Sequence, residues 1–257
     1  MKIAIIGGGN MGGAIARGLT QGNVFKASEI TVADPSNATL DGLKAFNKDI
    51  QTTTDNQAAV NEADLVLLAV KPWLVDQVLG AIKFDADRQI LISIAAGVAF
   101  EKLIAIVGND ITIFRLVPNT AISELASMTL IASHNATTEQ EELLVRIFNE
   151  MGLAMIIPET QIAATTALTS CGIAYVLKYI HAAVEAGVEM GVYPKAAQRM
   201  VAQSVKGAAE LLLNNDTHPA VEIDKVTTPG GITIKGLNEL EHAGFSSAII
   251  RAMKASK

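Results

Sequence analysis

Cysteine is almost missing from this chain. A single Cys171 among 257 residues excludes an internal disulfide, and it suits the reducing cytoplasm in which the protein is expected to work. Clusters of lysine or arginine are missing too. The 20 basic side chains are scattered among 26 acidic ones, for a formal charge of −6, so binding nucleic acid through phosphate neutralisation is not expected. Four scattered histidines share no metal-ligand spacing with one another or with Cys171, and no metal is expected. The longest apolar runs, LVLLAV at Leu65–Val70 and ILISIAAGVAF at Ile90–Phe100, fall well short of the roughly 20 residues a membrane-spanning helix needs. The amino terminus, MKIAIIGGGN, has one lysine and an apolar run broken at once by glycine, which makes a poor signal peptide. The expectation is a cytoplasmic protein with no membrane partner.

What the chain has in plenty is apolar residues. Half of it is hydrophobic and 18% is charged, with a mean hydropathy of +0.34. Much apolar surface must therefore be buried, some of it between subunits. The negative balance belongs to residues 1–158, with 11 basic and 17 acidic side chains against 9 of each in residues 159–257. An anionic ligand would have to be held locally, by backbone N–H groups.

Residues 1–158 alternate short β-rich runs with helical stretches. Ile3–Ile6, Ile30–Ala33, Leu65–Ala69, Ile90–Ile94 and Ile111–Leu116 read as strands, with a further short one near Ile50. Their continuous apolar character fits a parallel sheet covered on both faces by helices. Met128–Ala132 and Ala154–Ile157 read as later strands flanking a helix over Thr138–Met151, whose start is marked by Thr137 and by Glu139, Glu141 and Glu142 in its first turn. After Pro158 the pattern changes. From Gln161 to Met190 nothing reads as a strand, and apolar residues occupy nearly every helical face, as in a helix buried in a large core, a membrane or an oligomer. Thr165, Thr166, Lys178 and His181 argue against the membrane. Pro194 opens a helix to about Leu213, NNDTHPAVEIDK reads as a connector, and one or two helices follow from Ile232. The fold expected is α/β: a doubly wound parallel sheet over residues 1–158, then an all-helical domain over residues 159–257 that wraps a partner subunit.

Within the first domain, Gly7-Gly8-Gly9-Asn10-Met11-Gly12 matches G-x-G-x-x-G between the strand KIAII and the helical AIARGLTQG. In that Rossmann-type context Gly7 permits the tight turn, Gly9 lets a pyrophosphate approach the main chain and Gly12 lets helix pack on strand. The phosphates then meet N–H groups, those of Asn10 and Met11 included, at the positive helix end. Asp34 follows the second strand, 22 residues after Gly12, where an acid accepts from ribose hydroxyls and repels a ribose phosphate. By that rule the cofactor is NADH more than NADPH. A competing reading makes Asp34-Pro35-Ser36 a cap for the next helix. Ligands of open parallel sheets lie beyond the carboxyl ends of the strands. Ala69, Val70, Lys71 and Pro72 end the fourth strand and Ala95, Ala96 and Gly97 end the fifth, so both groups are expected against the cofactor. Near the carboxyl end, VTTPGGITIKG places Pro229, Gly230 and Gly231 before another helix. On composition alone this is a turn between helices.

Taken together, GGGNMGGAIARG, the LAVKP and SIAAGV strand ends, RLVPNTA at Arg115–Ala121 and VTTPGGITIKGLNELEHAGF resemble the pyrroline-5-carboxylate reductase family over almost the whole chain. The resemblance implies a helical domain interlocked with a second subunit in a homodimer or higher homo-oligomer. It implies reduction of 1-pyrroline-5-carboxylate to L-proline with NADPH or NADH. It places the substrate at Gly230, Gly231, Ile232 and Thr233, with the Thr233 hydroxyl on the ring nitrogen as the catalytic contact and backbone N–H groups on the carboxylate. Glu159 falls near the substrate and Asn56 near the adenosine ribose. The second glycine turn then holds the substrate's anion as the first holds the cofactor's. Asp34 stands where NADPH-using members often carry serine. The family's Ser-Gly-Ser-Gly-Pro-Ala-Tyr stretch is here Thr169-Ser170-Cys171-Gly172-Ile173-Ala174-Tyr175, a local departure. Two other readings stand beside this one. A β-hydroxyacid dehydrogenase would use Lys178 on the long helix, although the asparagine expected one turn later is Ala182. A non-catalytic NAD(P) sensor would need no second anion site. Cys171 reads as a small packed residue, and His181 with Glu185 as a solvated or subunit-facing edge.

Overall fold

Strand β1 (Ile3–Ile6) is buried at every position, because helices cover both faces of the sheet it belongs to. The computed structural model describes all 257 residues, Met1–Lys257, as two compact units, Met1–Ser170 and Cys171–Lys257. In the first unit β1 is followed by α1 (Asn10–Leu19), β2 (Ile30–Ala33), α2 (Asn37–Phe46), β3 (Gln51–Thr53), α3 (Asn56–Asn61), β4 (Leu65–Leu68), α4 (Val75–Gly80), β5 (Ile90–Ser93), α5 (Phe100–Val107) and β6 (Thr112–Val117). Then come β7 (Ser127–His134), α6 (Thr138–Asn149), β8 (Gly152–Ile156) and α7 (Ile162–Thr166). The strand order is β3-β2-β1-β4-β5-β6-β7-β8. The first six strands are parallel, whereas β7 runs antiparallel to β6 and β8 parallel to β7. The expected parallel sheet thus holds through β6 and reverses once, at the turn after Val117. The start of α6 is the capping box its sequence announces. The Thr137 hydroxyl accepts the Gln140 N–H at 3.3 Å, and the Gln140 side chain accepts the Thr137 N–H at 2.9 Å.

Apolar layers fill both faces. Ile3, Ile5, Val32, Leu65 and Leu67 pack with Ile15 and Leu19 of α1 and Ile147 and Phe148 of α6. Ile6, Val66, Leu68 and Leu91 pack with Val60 of α3, Leu79 of α4 and Leu103 of α5. Ile162 of α7 belongs to the second layer beside Leu130 and Ala132 of β7, which is why residues 159–170 fall within the first unit.

The second unit is helical. It contains α8 (Gly172–Glu189), α9 (Pro194–Asn215), α10 (Pro219–Lys225), α11 (Ile232–His242) and α12 (Phe245–Ala255), and a π-helical turn at Ala167–Cys171 precedes α8. The stretch expected as a connector contains α10. Pro219 has the φ a first helical residue needs, and the His218 ring nitrogen accepts the Ala220 N–H at 3.2 Å. The Lys225 ammonium, with the Thr217 hydroxyl, then holds the Glu222 carboxyl below its ordinary range. Cys171, expected to be a packed core residue, is instead half-exposed. His181 and Glu185 form an exposed pair at 3.6 Å.

This unit has almost no core of its own. Ala197, packed where α8 and α9 approach closely at Gly187, is its one buried hydrophobic side chain. Val176, Leu177, Met200, Leu213 and Ile250 lie exposed instead. By length and composition the stretch Glu159–Glu189 could cross a membrane, and little of it is buried in a single copy. Helices this apolar need a cover that one copy of the unit does not provide. Covering a single leucine contributes about 1.5–3 kcal/mol, so assembly should dominate the unit's stability. The unfolding midpoint of the protein is expected to rise with protein concentration. Leu177→Glu, in the middle of α8, is expected to yield a smaller species in size-exclusion chromatography and to remove that concentration dependence.

Candidate active site

The parallel register brings the predicted cofactor residues to one edge of the sheet. Ile6 lies beside Ala33 and Leu68, Leu68 beside Ser93, and Ala33 beside Thr53. The loops after these strands are therefore neighbours. Backbone bonds tie them together: Gly7 N–H to Ala33 O at 2.8 Å, Ala69 N–H to Ile6 O at 2.8 Å and Ile94 N–H to Leu68 O at 3.1 Å. The strand order reverses between β1 and β4, and that is where open α/β sheets hold their ligands.

Three glycines carry the motif for two different reasons. Gly7 has φ +103°, and a Cβ there would lie 2.8 Å from the Ala69 carbonyl oxygen. A Cβ on Gly12 would lie 2.0 Å from the Gly7 carbonyl oxygen. Both are glycine because the protein leaves no room. Gly9 is different: no protein atom lies within 4 Å of where its Cβ would be, and its φ of −62° is open to any residue. Internal packing does not require glycine there. A ligand pressed onto the main chain would. The first hydrogen bond of α1 is Gly13 N–H to Gly9 O, so the Asn10, Met11 and Gly12 N–H groups have no acceptor. The helix also has no side-chain cap and no acid in its first turn. A diphosphate fits these free donors and the positive helix end, and Asn10 and Met11 stand at its surface, exposed and half-buried respectively.

Asp34 is half-buried. One of its oxygens accepts the Gly8 N–H at 2.8 Å and the other the Ser36 N–H at 2.9 Å. The cap of α2 is Ser36, which accepts the Thr39 N–H at 3.3 Å, so Asp34 braces the glycine turn. Asn56 is the first residue of α3, half-buried, after the cap Asp55. Ala69 and Val70 are half-buried and Lys71 is exposed; Pro72 opens a 3₁₀ turn that presents Trp73, 74% exposed. After β5, Ala95 is buried while Ala96 and Gly97 are exposed, with Gly97 at φ +75°.

Glu159 opens a 3₁₀ turn just before α7. Its Oε1 accepts the N–H of Phe100, the first residue of α5, at 2.8 Å, and pairs with the Arg115 guanidinium. Arg115 is a buried charge in β6 whose guanidinium lies 5.7 Å from the centre of the Phe100 ring. Sequence reading singled out neither Arg115 nor Phe100 for a role. The usable signal was an arginine inside the apolar run ITIFRLV, since a charge in a buried strand requires a partner elsewhere.

In the second unit, Pro229 and Gly230 are exposed, and Gly230 is at φ +74°. Gly231 caps α11 at φ −64° and donates its N–H to Thr228 O at 2.9 Å. Of the two glycines only Gly230 uses left-handed geometry; Gly231 is held by close approach, because a Cβ there would lie 2.5 Å from the Thr228 hydroxyl oxygen. Ile232 and Thr233 follow, both exposed, at a helix start with no side-chain cap and no acid.

Residues 159–257 match the model for pyrroline-5-carboxylate reductase dimerisation, and residues 2–97 match the model for coenzyme F420-dependent NADP oxidoreductases. A pyrroline-5-carboxylate reductase 1 of Dictyostelium discoideum is 40% identical over 99% of this chain, which spans about half (48%) of that relative. The pyrroline-5-carboxylate reductase of Synechocystis is 39% identical over 100% of this chain and 96% of its own length. The structure of Plasmodium falciparum pyrroline carboxylate reductase with NADP bound superposes with a TM-score of 0.87 at 29% identity, over 100% of this chain and 95% of that one. The chain belongs to the pyrroline-5-carboxylate reductase family.

Proposed function

We propose that the protein reduces 1-pyrroline-5-carboxylate to L-proline with NAD(P)H, as a homo-oligomer in the cytoplasm, where its single cysteine stays reduced. The observation that carries the reading is the pair of uncapped, acid-free helix starts at Asn10 and Ile232, one following Gly9 and the other Gly231. Both the cofactor and the substrate are anions. The likeness to the dimerisation module over residues 159–257 and the coreless second unit support assembly of identical copies.

Each residue's role follows from its place. Gly7, Gly9 and Gly12 shape the turn so that the Asn10, Met11 and Gly12 N–H groups receive the diphosphate. Asp34 and Asn56 receive the adenosine ribose. Ala69, Val70, Lys71 and Pro72, together with Ala95, Ala96 and Gly97, line the nicotinamide half. Gly230 and Ile232 offer main-chain N–H groups to the substrate carboxylate, Gly231 keeps the turn tight with its own N–H on Thr228 O, and the Thr233 hydroxyl orients the ring nitrogen. Reduced nicotinamide, when bound, supplies the hydride. A protonated imine is already an electrophile, so the protein is asked chiefly to stack two rings and exclude water, which can contribute as much as about 7–11 kcal/mol. No strong general acid is required.

Asp34 favours NADH, because a second anion beside its carboxylate is repelled. Purified protein is expected to consume NADH on addition of pyrroline-5-carboxylate, measured by loss of nicotinamide absorbance, and to consume NADPH more slowly. Binding of NADH without turnover would indicate a sensor; turnover of hydroxyacids with NAD would indicate a dehydrogenase. Asp34→Ser keeps an acceptor for the Gly8 N–H while removing the charge. It should shift the NADPH-to-NADH ratio of kcat/KM upward by about tenfold, a 1.4 kcal/mol change. Thr233→Ala removes one orienting hydrogen bond and is expected to lower kcat by roughly 10–100-fold without abolishing turnover. Complete inactivity of the folded variant would make the hydroxyl an essential proton donor instead.

A further inference from the structure

We propose that Glu159 is a positioning residue for the nicotinamide half of the cofactor, acting through the loop between β5 and α5. This rests on the cofactor reading above. The loop, residues 94–99, is held at its start by strand contacts: Ile94 N–H to Leu68 O at 3.1 Å, and Ala95 N–H to the Ser93 hydroxyl at 3.4 Å. Its middle, Ala96 and Gly97, is exposed and has no anchoring side chain. The cap of α5, Ala99, makes no side-chain bond. The far end of the loop is held at two points: Val98, buried in the core with its N–H on Ala95 O at 3.3 Å, and the Phe100 N–H, which is received by Glu159, 59 positions away in the chain.

The same carboxylate oxygen is held by Arg115, which lies in register with Ser93 on the neighbouring strand and is 9% exposed. One ion pair thus joins three parts: the strand beside the loop, the first turn of the helix after it, and the turn at Glu159–Gln161. A buried guanidinium forces this arrangement, since leaving it unpaired is costly. The carboxylate also sits at the positive end of α5, where negative charge is favoured. Without it, the exposed Ala96-Gly97 bend keeps only Val98 as an outer anchor while the sheet beneath stays intact. Glu159 Oε2 has no protein hydrogen bond, so a direct touch on substrate is the competing role.

Glu159→Ala, Glu159→Gln and Arg115→Met separate the two. Trp73, the one tryptophan, stands exposed beside the nicotinamide loops, so energy transfer from it to bound NADH reports Kd without turnover. Glu159→Ala is expected to raise the NADH Kd and KM about tenfold with the KM for pyrroline-5-carboxylate within about twofold, as a displaced positioning loop would. Glu159→Gln, which keeps an acceptor for the Phe100 N–H, should recover most of that loss, and Arg115→Met should fall between. An unchanged NADH Kd in folded Glu159→Ala overturns the proposal, whether the melting temperature falls or not, and where that variant does not fold an unchanged Kd in Arg115→Met does so. So does a raised substrate KM with cofactor binding intact, which assigns Glu159 to the substrate. If wild-type protein binds NADH but does not reduce the imine, the activity reading fails, and the Kd series still decides the role of Glu159.

Discussion

The structure depends on how closely the turn after β1 presses against the strand end beside it. The Gly7 main chain lies against the Ala69 carbonyl, and Gly12 lies against Gly7, with no room for a side chain at either place. That contact aims the first turn of α1 outward with three N–H groups unpaired, and unpaired donors at the positive end of a helix are a standing demand for an anion. The neighbouring loops are fixed by the same register. The row of free N–H groups is therefore a property of main-chain geometry, which Asp34 braces through the Gly8 N–H.

The two units meet the problem of apolar burial differently. The first covers one sheet with helices on both faces and is complete by itself. In the second, α8 and α9 meet at Gly187 and Ala197, yet nearly every larger apolar side chain remains in contact with solvent. Such a unit reaches its stable form only when more apolar surface is brought to it, which agrees with its match to a dimerisation module.

Arg115 and Glu159 show what remained illegible. The arginine is visible as an anomaly in an apolar strand. Its partner lies 44 positions further on, beyond the reach of any periodicity. The helical character of α10 was hidden for a different reason: its start depends on a histidine cap and a proline at the first position, which read equally well as turn residues. The single reversed strand, β7, was likewise invisible, since direction is set by a short connection after Val117 and not by the apolar pattern.

The amino-acid order by itself determined the alternation of strands and helices, the glycine turn at Gly7–Gly12 and the apolar, strandless character of the last third, because each depends on local periodicity and main-chain sterics. Tertiary structure alone decided that Glu159 closes on Arg115 and the start of α5, that Asp34 braces the glycine turn, and that the second unit is left without a core. Those outcomes depend on distances between residues far apart in the chain, which only sheet register and packing fix.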